Sequence, residues 1–278
     1  MTRPLGPPFD NLSRRTFLQA AALAAATAAH GGMGRAEEDA GHADDDAAPA
    51  GENAAGEHPA ELLRIQELLR GQQPVTWIFT GDSITHGALH TLGWRSYPEH
   101  FAERVRWELG RVRDIVINTG ISGERTGGLL ADFDWRALRF QPQVVSIMIG
   151  MNDCAAGEAG RETFRDNLVA LVEAVRTAGG IPLLNTPNTV YVANSAGRED
   201  LPAYATIVRE TAVAMSAPLV DHWAHWQAAK PDQEELLPWL EDRSIHPGVY
   251  GHREFAKEIF RVLGIYDAES PTCKLEVP

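Results

Sequence analysis

Five short, nearly continuous apolar runs constrain this chain more than any other feature: Val75–Phe79, Ile115–Ile117, Val144–Ile149, Ile181–Leu184 and Leu219–Val220. Runs this short, without polar alternation, read as strands covered on both faces. Between them lie stretches with apolar residues at helical spacing, over 60–70, 97–109, 163–178, 204–215 and 254–263. Gly179-Gly180 supplies a stop signal past the third of these helices. Strands that alternate with helices of ten or more residues predict βαβ units and a mainly parallel sheet, about five-stranded, in an α/β fold. Ligands of such sheets bind beyond the carboxyl ends of the strands. No internal repeat interrupts the pattern.

The N-terminal residues are of another kind. Ser13-Arg14-Arg15-Thr16-Phe17-Leu18 precedes an alanine-rich apolar run from Ala20 to Ala29. A charged pair, a short apolar stretch and then small residues is the layout of an export signal. Adjacent arginines followed by Phe-Leu resemble the twin-arginine type. The run is too short to span a bilayer. Residues 1–36 are therefore expected to be a signal peptide and the protein to be periplasmic or extracellular. Residues 37–58 hold eight acidic side chains and no Lys or Arg, which predicts a disordered acidic linker.

Charge removes two function classes. The chain carries 38 Asp and Glu against 25 Lys and Arg, a formal net charge of −13. Nucleic-acid binding draws most of its affinity from Lys and Arg on phosphates, and anionic membrane surfaces select the same residues. No nucleic-acid partner and no stable membrane insertion after signal cleavage are expected. Cys154 and Cys273 make neither a disulfide framework nor a zinc cluster. Whether they pair depends on a Cα separation that sequence does not give.

Polar clusters fall at the predicted strand ends. Gly81-Asp82-Ser83 follows the first strand, where a serine at a strand-to-helix turn stands at the sheet edge beside free backbone N–H groups. By itself this also fits a helix N-cap. Asn118-Thr119-Gly120-Ile121-Ser122-Gly123 follows the second strand, and Gly150-Met151-Asn152-Asp153 the third. Each alone also fits an ordinary turn. Asp242-Arg243-Ser244-Ile245-His246-Pro247 precedes the last helix.

In this order, the blocks Gly81-Asp82-Ser83, Gly123, Gly150-Met151-Asn152-Asp153 and His246-Pro247 resemble the SGNH/GDSL hydrolase family over Val75 to Leu263. The resemblance implies a three-layer α/β/α sandwich of flavodoxin-like type, with residues 59–278 as the hydrolase domain. It implies Ser83 as nucleophile and His246 as general base. The oxyanion hole would be Ser83 N–H, Gly123 N–H and the Asn152 side chain, with Asp82 and Asp153 supporting. One departure stands out: the family's acid lies three residues before the histidine, where this chain has Arg243. Either Asp242, four residues before, orients His246, or a backbone carbonyl does. Asp242 is favoured, since the orienting group need only reach the ring nitrogen facing away from serine.

The implied chemistry is hydrolysis of carboxylic esters through an acyl-enzyme on Ser83, with no cofactor and no metal. Activity is expected to fall as pH drops through the range where a histidine base takes up a proton. An exported acidic chain leans towards acetyl esters of carbohydrate, so a small-molecule or glycan ester is the expected partner. A lipase, lysophospholipase or acyltransferase on the same fold is the alternative. A binding module that has lost catalysis is a second, and a nucleotide or flavin binder a third. The last lacks a Gly-x-Gly-x-x-Gly turn after the first strand. His222 and His225 read as loop or core histidines. Trp94, Trp223, Trp226 and Trp239 read as core before sugar platforms.

Overall fold

The computed structural model describes residues 59–274. The expected signal peptide and acidic linker lie outside the described residues. In chain order the elements are α1 (Ala60–Arg70), β1 (Thr76–Gly81), α2 (Ser83–His86), α3 (Tyr97–Glu103), β2 (Ile115–Asn118), α4 (Thr126–Ala131), α5 (Phe133–Arg136) and β3 (Val144–Met148). They continue with α6 (Arg161–Thr177), β4 (Ile181–Asn185), α7 (Leu201–Ala214), β5 (Leu219–Val220), α8 (His222–Ala229), α9 (Gln233–Leu236), α10 (Val249–Val262) and α11 (Pro271–Lys274). All five apolar runs form strands.

The strands make one sheet in the order β2-β1-β3-β4-β5. Every pairing is parallel. This is the doubly wound order whose switch point lies between β1 and β3, where connections leave in opposite directions and a crevice opens. Gly81 pairs with Met148 at that point, so the serine and asparagine blocks emerge side by side.

Both faces of the sheet are covered, as the unbroken apolar strands require. On one face α3 packs with α10, and α10 with α8; on the other α6 packs with α4 and α7. Aromatic rings fill the first face. Trp77 and Phe79 of β1 each lie 5.0 Å from the Phe101 ring, and Phe255 of α10 meets Tyr97. On the second, Phe164 of α6 lies 4.8 Å from Tyr204 of α7. Trp77 and Phe79, two residues apart on β1, thus serve the same layer, as the period-two geometry of a strand requires.

The helix expected over 97–109 differs in its second half. It is α-helical to Glu103 and continues as a π-helical turn over Arg104–Glu108, where Leu109 N–H donates to the Arg104 carbonyl five residues back. Buried Arg104 explains the widened turn. Its guanidinium donates to the Ile265 carbonyl and to Glu108, and Glu108 in turn accepts from Thr272. A long-range polar anchor has overridden the local helical repeat.

Candidate active site

The serine block depends on a residue without a side chain. Gly81 ends β1 with φ +156°, and a Cβ built there would lie 1.9 Å from the Met148 carbonyl oxygen of β3. Only glycine brings the two strand ends this close. Asp82 then caps the short helix α2, its Oδ1 accepting from Ile84 N–H at 3.0 Å. Ser83, in the first turn of α2, is 8% exposed. Its Oγ lies 2.9 Å from His246 Nε2.

His246 sits on a hairpin-like loop from the other end of the chain. Leu240 and Pro247 form an antiparallel bridge, Gly248 N–H donates to the Trp239 carbonyl, and Glu241 N–H donates to the His246 carbonyl. Within this loop Asp242 Oδ2 lies 2.6 Å from His246 Nδ1. Asp242 Oδ1 accepts from the backbone N–H groups of Ser244, Ile245 and His246, at 2.9, 3.0 and 3.1 Å. Arg243 takes φ +55°, a left-handed conformation that folds the extra residue into the turn. The carboxylate, not a carbonyl, thereby faces Nδ1. Burial raises the Asp242 carboxyl, but hydrogen bonds from the His246 ring and the loop backbone outweigh it and hold the group below its ordinary value. The outer face of the His246 ring carries His90, stacked at 3.7 Å with 4° between the planes.

Gly123 and Asn152 border the same crevice. Gly123 has φ +81°, and nothing lies within 4 Å of where its Cβ would be. Asn152 Nδ2 donates one N–H to the Glu124 carbonyl at 3.0 Å, which leaves its second N–H available. Asn152 Oδ1 accepts from Arg198 Nη2 at 3.2 Å. The neighbouring Asp153 holds the start of α4, its Oδ1 accepting from Thr126 N–H at 2.8 Å and from Thr126 Oγ1 at 2.6 Å.

Beneath this rim lies Arg136, buried at the end of α5. It donates to the Gly81 and Thr119 carbonyls and pairs with Glu124 at 2.5 Å. One guanidinium thus joins the serine block to both sides of the Gly123 loop. Burial, with a further push from Asp153, raises the Asp82 carboxyl to about 7 against the lowering effect of Ile84 N–H. Burial likewise raises Asp153. Two buried carboxyls at one strand edge cannot both carry charge cheaply.

The sequence-derived residues Ser83, His246, Asp242, Asn152, Gly123, Asp82 and Asp153 all fall at this sheet edge. Sequence reading missed His90, Arg136 and Arg198. No motif marks them, because each acts through contacts distant in sequence. Of the remaining candidates, His222 is fully buried with Nε2 at 3.2 Å from Asn185 Oδ1, and His225 pairs with Glu254 and Glu258. Trp223 and Trp226 are buried, whereas Trp94 is exposed. Cys154 and Cys273 are free and buried.

His90, Asp242 and His246 bring potential metal-ligand atoms within 4.8 Å of one another. Parallel stacked imidazoles direct their lone pairs along separate planes, so this conformation does not converge two nitrogens on one ion. A cavity of about 590 Å³ opens beside Arg198, with Thr189, Val192, Trp223, Gln227 and Lys230 in its walls.

Comparison with known proteins bears on the family and the fold. The model of the GDSL-like Lipase/Acylhydrolase family matches residues 79–254, a span that holds all seven sequence-derived residues. An acetylxylan esterase of Geobacillus stearothermophilus is 29% identical over 211 residues, covering 67% of this chain and 93% of that protein. A crystal structure of an acetylxylan esterase from the same organism superposes with TM-score 0.56 at 24% identity, over 68% of this chain and 94% of that one. An uncharacterized protein of Mycoplasma pneumoniae is 31% identical over 117 residues, 41% of this chain, but the match spans only 13% of that protein.

Proposed function

This chain belongs to the GDSL-like lipase/acylhydrolase family and is an ester-hydrolysing enzyme, and we propose that Ser83 is its nucleophile, His246 its general base and Asp242 the acid that orients the base. The observation that carries this reading is the unbroken relay from Ser83 Oγ through Nε2 and Nδ1 of His246 to Asp242. With Nδ1–H donated to Asp242, Nε2 is left as an acceptor for the serine proton.

The mechanism follows from these positions. Ser83 Oγ attacks the acyl carbon while its proton passes to His246 Nε2. The negative charge moves to the former carbonyl oxygen, where Ser83 N–H, Gly123 N–H and the Asn152 side chain would receive it. His246, now charged and steadied by Asp242, gives the proton to the departing alkoxide. Water then attacks the acyl-enzyme by the same route and frees Ser83. Every proton is accounted for by His246, and the chain supplies each group required.

The substrate is an acetyl ester of carbohydrate, on this reading. The likeness to an acetylxylan esterase supports it, and so does the exposed Trp94, a platform for a sugar ring. The Arg14-Arg15 pair before an apolar run supports export by a twin-arginine route. A lipid ester is the second reading, favoured by Leu89 and Leu92, which stand 79% and 64% exposed on either side of His90.

The test is hydrolysis of p-nitrophenyl esters and of acetylated xylan by the purified chain and by Ser83→Ala. The unaltered chain is expected to release acetate from the xylan, and Ser83→Ala to lose about 10⁴-fold or more in kcat. Activity that survives Ser83→Ala would sink the nucleophile assignment. A steep preference for long acyl chains would replace the carbohydrate reading with the lipid one.

A further inference from the structure

The Asn152 amide has two ends, and only one orientation supplies a donor to the crevice. Its Nδ2 gives one N–H to the Glu124 carbonyl at 3.0 Å, and its Oδ1 accepts from Arg198 Nη2 at 3.2 Å. Arginine has donors and no acceptor. A rotated amide would face its nitrogen to the Arg198 donor and its oxygen to the Glu124 carbonyl, losing both hydrogen bonds. Either partner alone biases the amide; together they fix it.

Arg198 is poorly explained as a structural brace. It comes from the loop between β4 and α7, and its hydrogen bonds go to the Gly197 carbonyl and to Asn152, with no carboxylate among them. Its Nε is buried without an acceptor among the described residues. Its positive field acts on the carboxyls of Asp82 and Glu199, both of which it lowers, and meets the cleft through Asn152. The other arginine of the rim, Arg136, is neutralised by Glu124.

We infer that Arg198 is a positioning residue of the oxyanion hole, locking the Asn152 amide with its nitrogen toward the reacting oxygen and polarising it as charge develops there. The inference rests on the reading of Asn152 as an oxyanion donor. A donor that is preset and polarised acts mainly on the transition state, where the oxygen is charged, and little on the neutral ester. The effect therefore belongs in kcat rather than KM.

The experiment is steady-state hydrolysis of p-nitrophenyl acetate by the full chain and by Arg198→Met, Arg198→Lys, Asn152→Ala and the double variant Asn152→Ala/Arg198→Met. Arg198→Met is expected to lower kcat about tenfold or more, about 1.4 kcal/mol of barrier, with KM changed less than about threefold. Arg198→Lys keeps the charge and one donor and should fall between. In the Asn152→Ala background, Arg198→Met should cost nothing further, since its partner is gone. Should Arg198→Met not fold, the same non-additivity is read from Arg198→Lys and the double variant Asn152→Ala/Arg198→Lys. An unchanged kcat in Arg198→Met, or losses that multiply in the double variant, would overturn the inference. If Asn152→Ala itself left kcat intact, the oxyanion reading would fall and the Arg198 role with it.

Discussion

The two sides of the crevice are built on opposite principles. The base side is local: Asp242 and His246 sit four residues apart in one loop, and a single carboxylate holds the ring and three backbone N–H groups. The oxyanion side is assembled from afar. Glu124, Thr126 and Arg136 from one stretch meet Asp153 and Arg198 from two others beneath two strand ends. The base side can be disabled without disturbing the fold, because its loop lies at the surface. The oxyanion side cannot lose Arg136, Glu124 or Asp153 so freely, because these groups also hold the sheet edge together; Arg198, which bonds only the Gly197 carbonyl and Asn152, is the exception.

Removing the acid is the strongest way to sharpen this contrast. Asp242→Ala takes away the acceptor for His246 Nδ1 and the anchor of its loop. A loss of about 10³–10⁴ in kcat is expected, with only a modest fall in melting temperature, since the loop N–H groups that lose their acceptor lie at an exposed site where water can replace it. A fall in melting temperature as large as that of a core variant would break the comparison.

Arg136→Met tests the opposite side. Glu124 would lose its partner, and the Gly81 and Thr119 carbonyls their donor. Breaking a buried pair this way costs about 3–5 kcal/mol, so thermal or urea unfolding should register it before activity does. If stability held while activity collapsed, Arg136 would be part of the catalytic machinery instead.

A smaller effect is expected from pH. Burial lowers His252 to about 3 and His100 to about 4, and holds His222 well below its ordinary value. These rings stay neutral in the fold while the unfolded chain charges them below about 6.5. Between about pH 4 and 6.5 the unfolded state therefore binds more protons, and stability is lost as pH falls. Asp82, raised to about 7, acts the other way, since the fold holds its proton where the unfolded chain has released it. Asp153, also raised by burial, adds to that opposition; three lowered histidines outweigh two raised carboxyls, so the midpoint of urea unfolding should drop on acidification. Asp82→Asn should steepen that drop, by removing one of the two opposing groups. A flat profile would mean that the histidines are solvated.

The sequence was most informative where structure is local. The five strands were legible because burial on both faces leaves an unbroken apolar signature. Ser83, Gly123 and Asn152 stood out as candidates because they follow strand ends in a recurrent order, and His246 because it sits beside Pro247 just before the last helix. Asp242 was legible as a choice between two orienting groups, and the left-handed turn at Arg243 is the detail that sequence did not carry. The π turn at Arg104–Glu108 was hidden for another reason: its cause is the distant Ile265 carbonyl. Arg136, Arg198 and His90 were hidden likewise. Nothing near them in the chain announces the groups they meet.

The turn at Arg243 separates two quantities that motif spacing treats as one. The hairpin is closed by its own backbone bonds at 239–248 and 241–246, so its stem sets where the imidazole stands. The residues at its tip absorb length. An acid and a base can thus be three or four positions apart and keep the same contact, provided one tip residue accepts a positive φ. Protein engineers can use that slack: Arg243→Gly should relieve roughly 1 kcal/mol of backbone strain while leaving the acid–base contact intact.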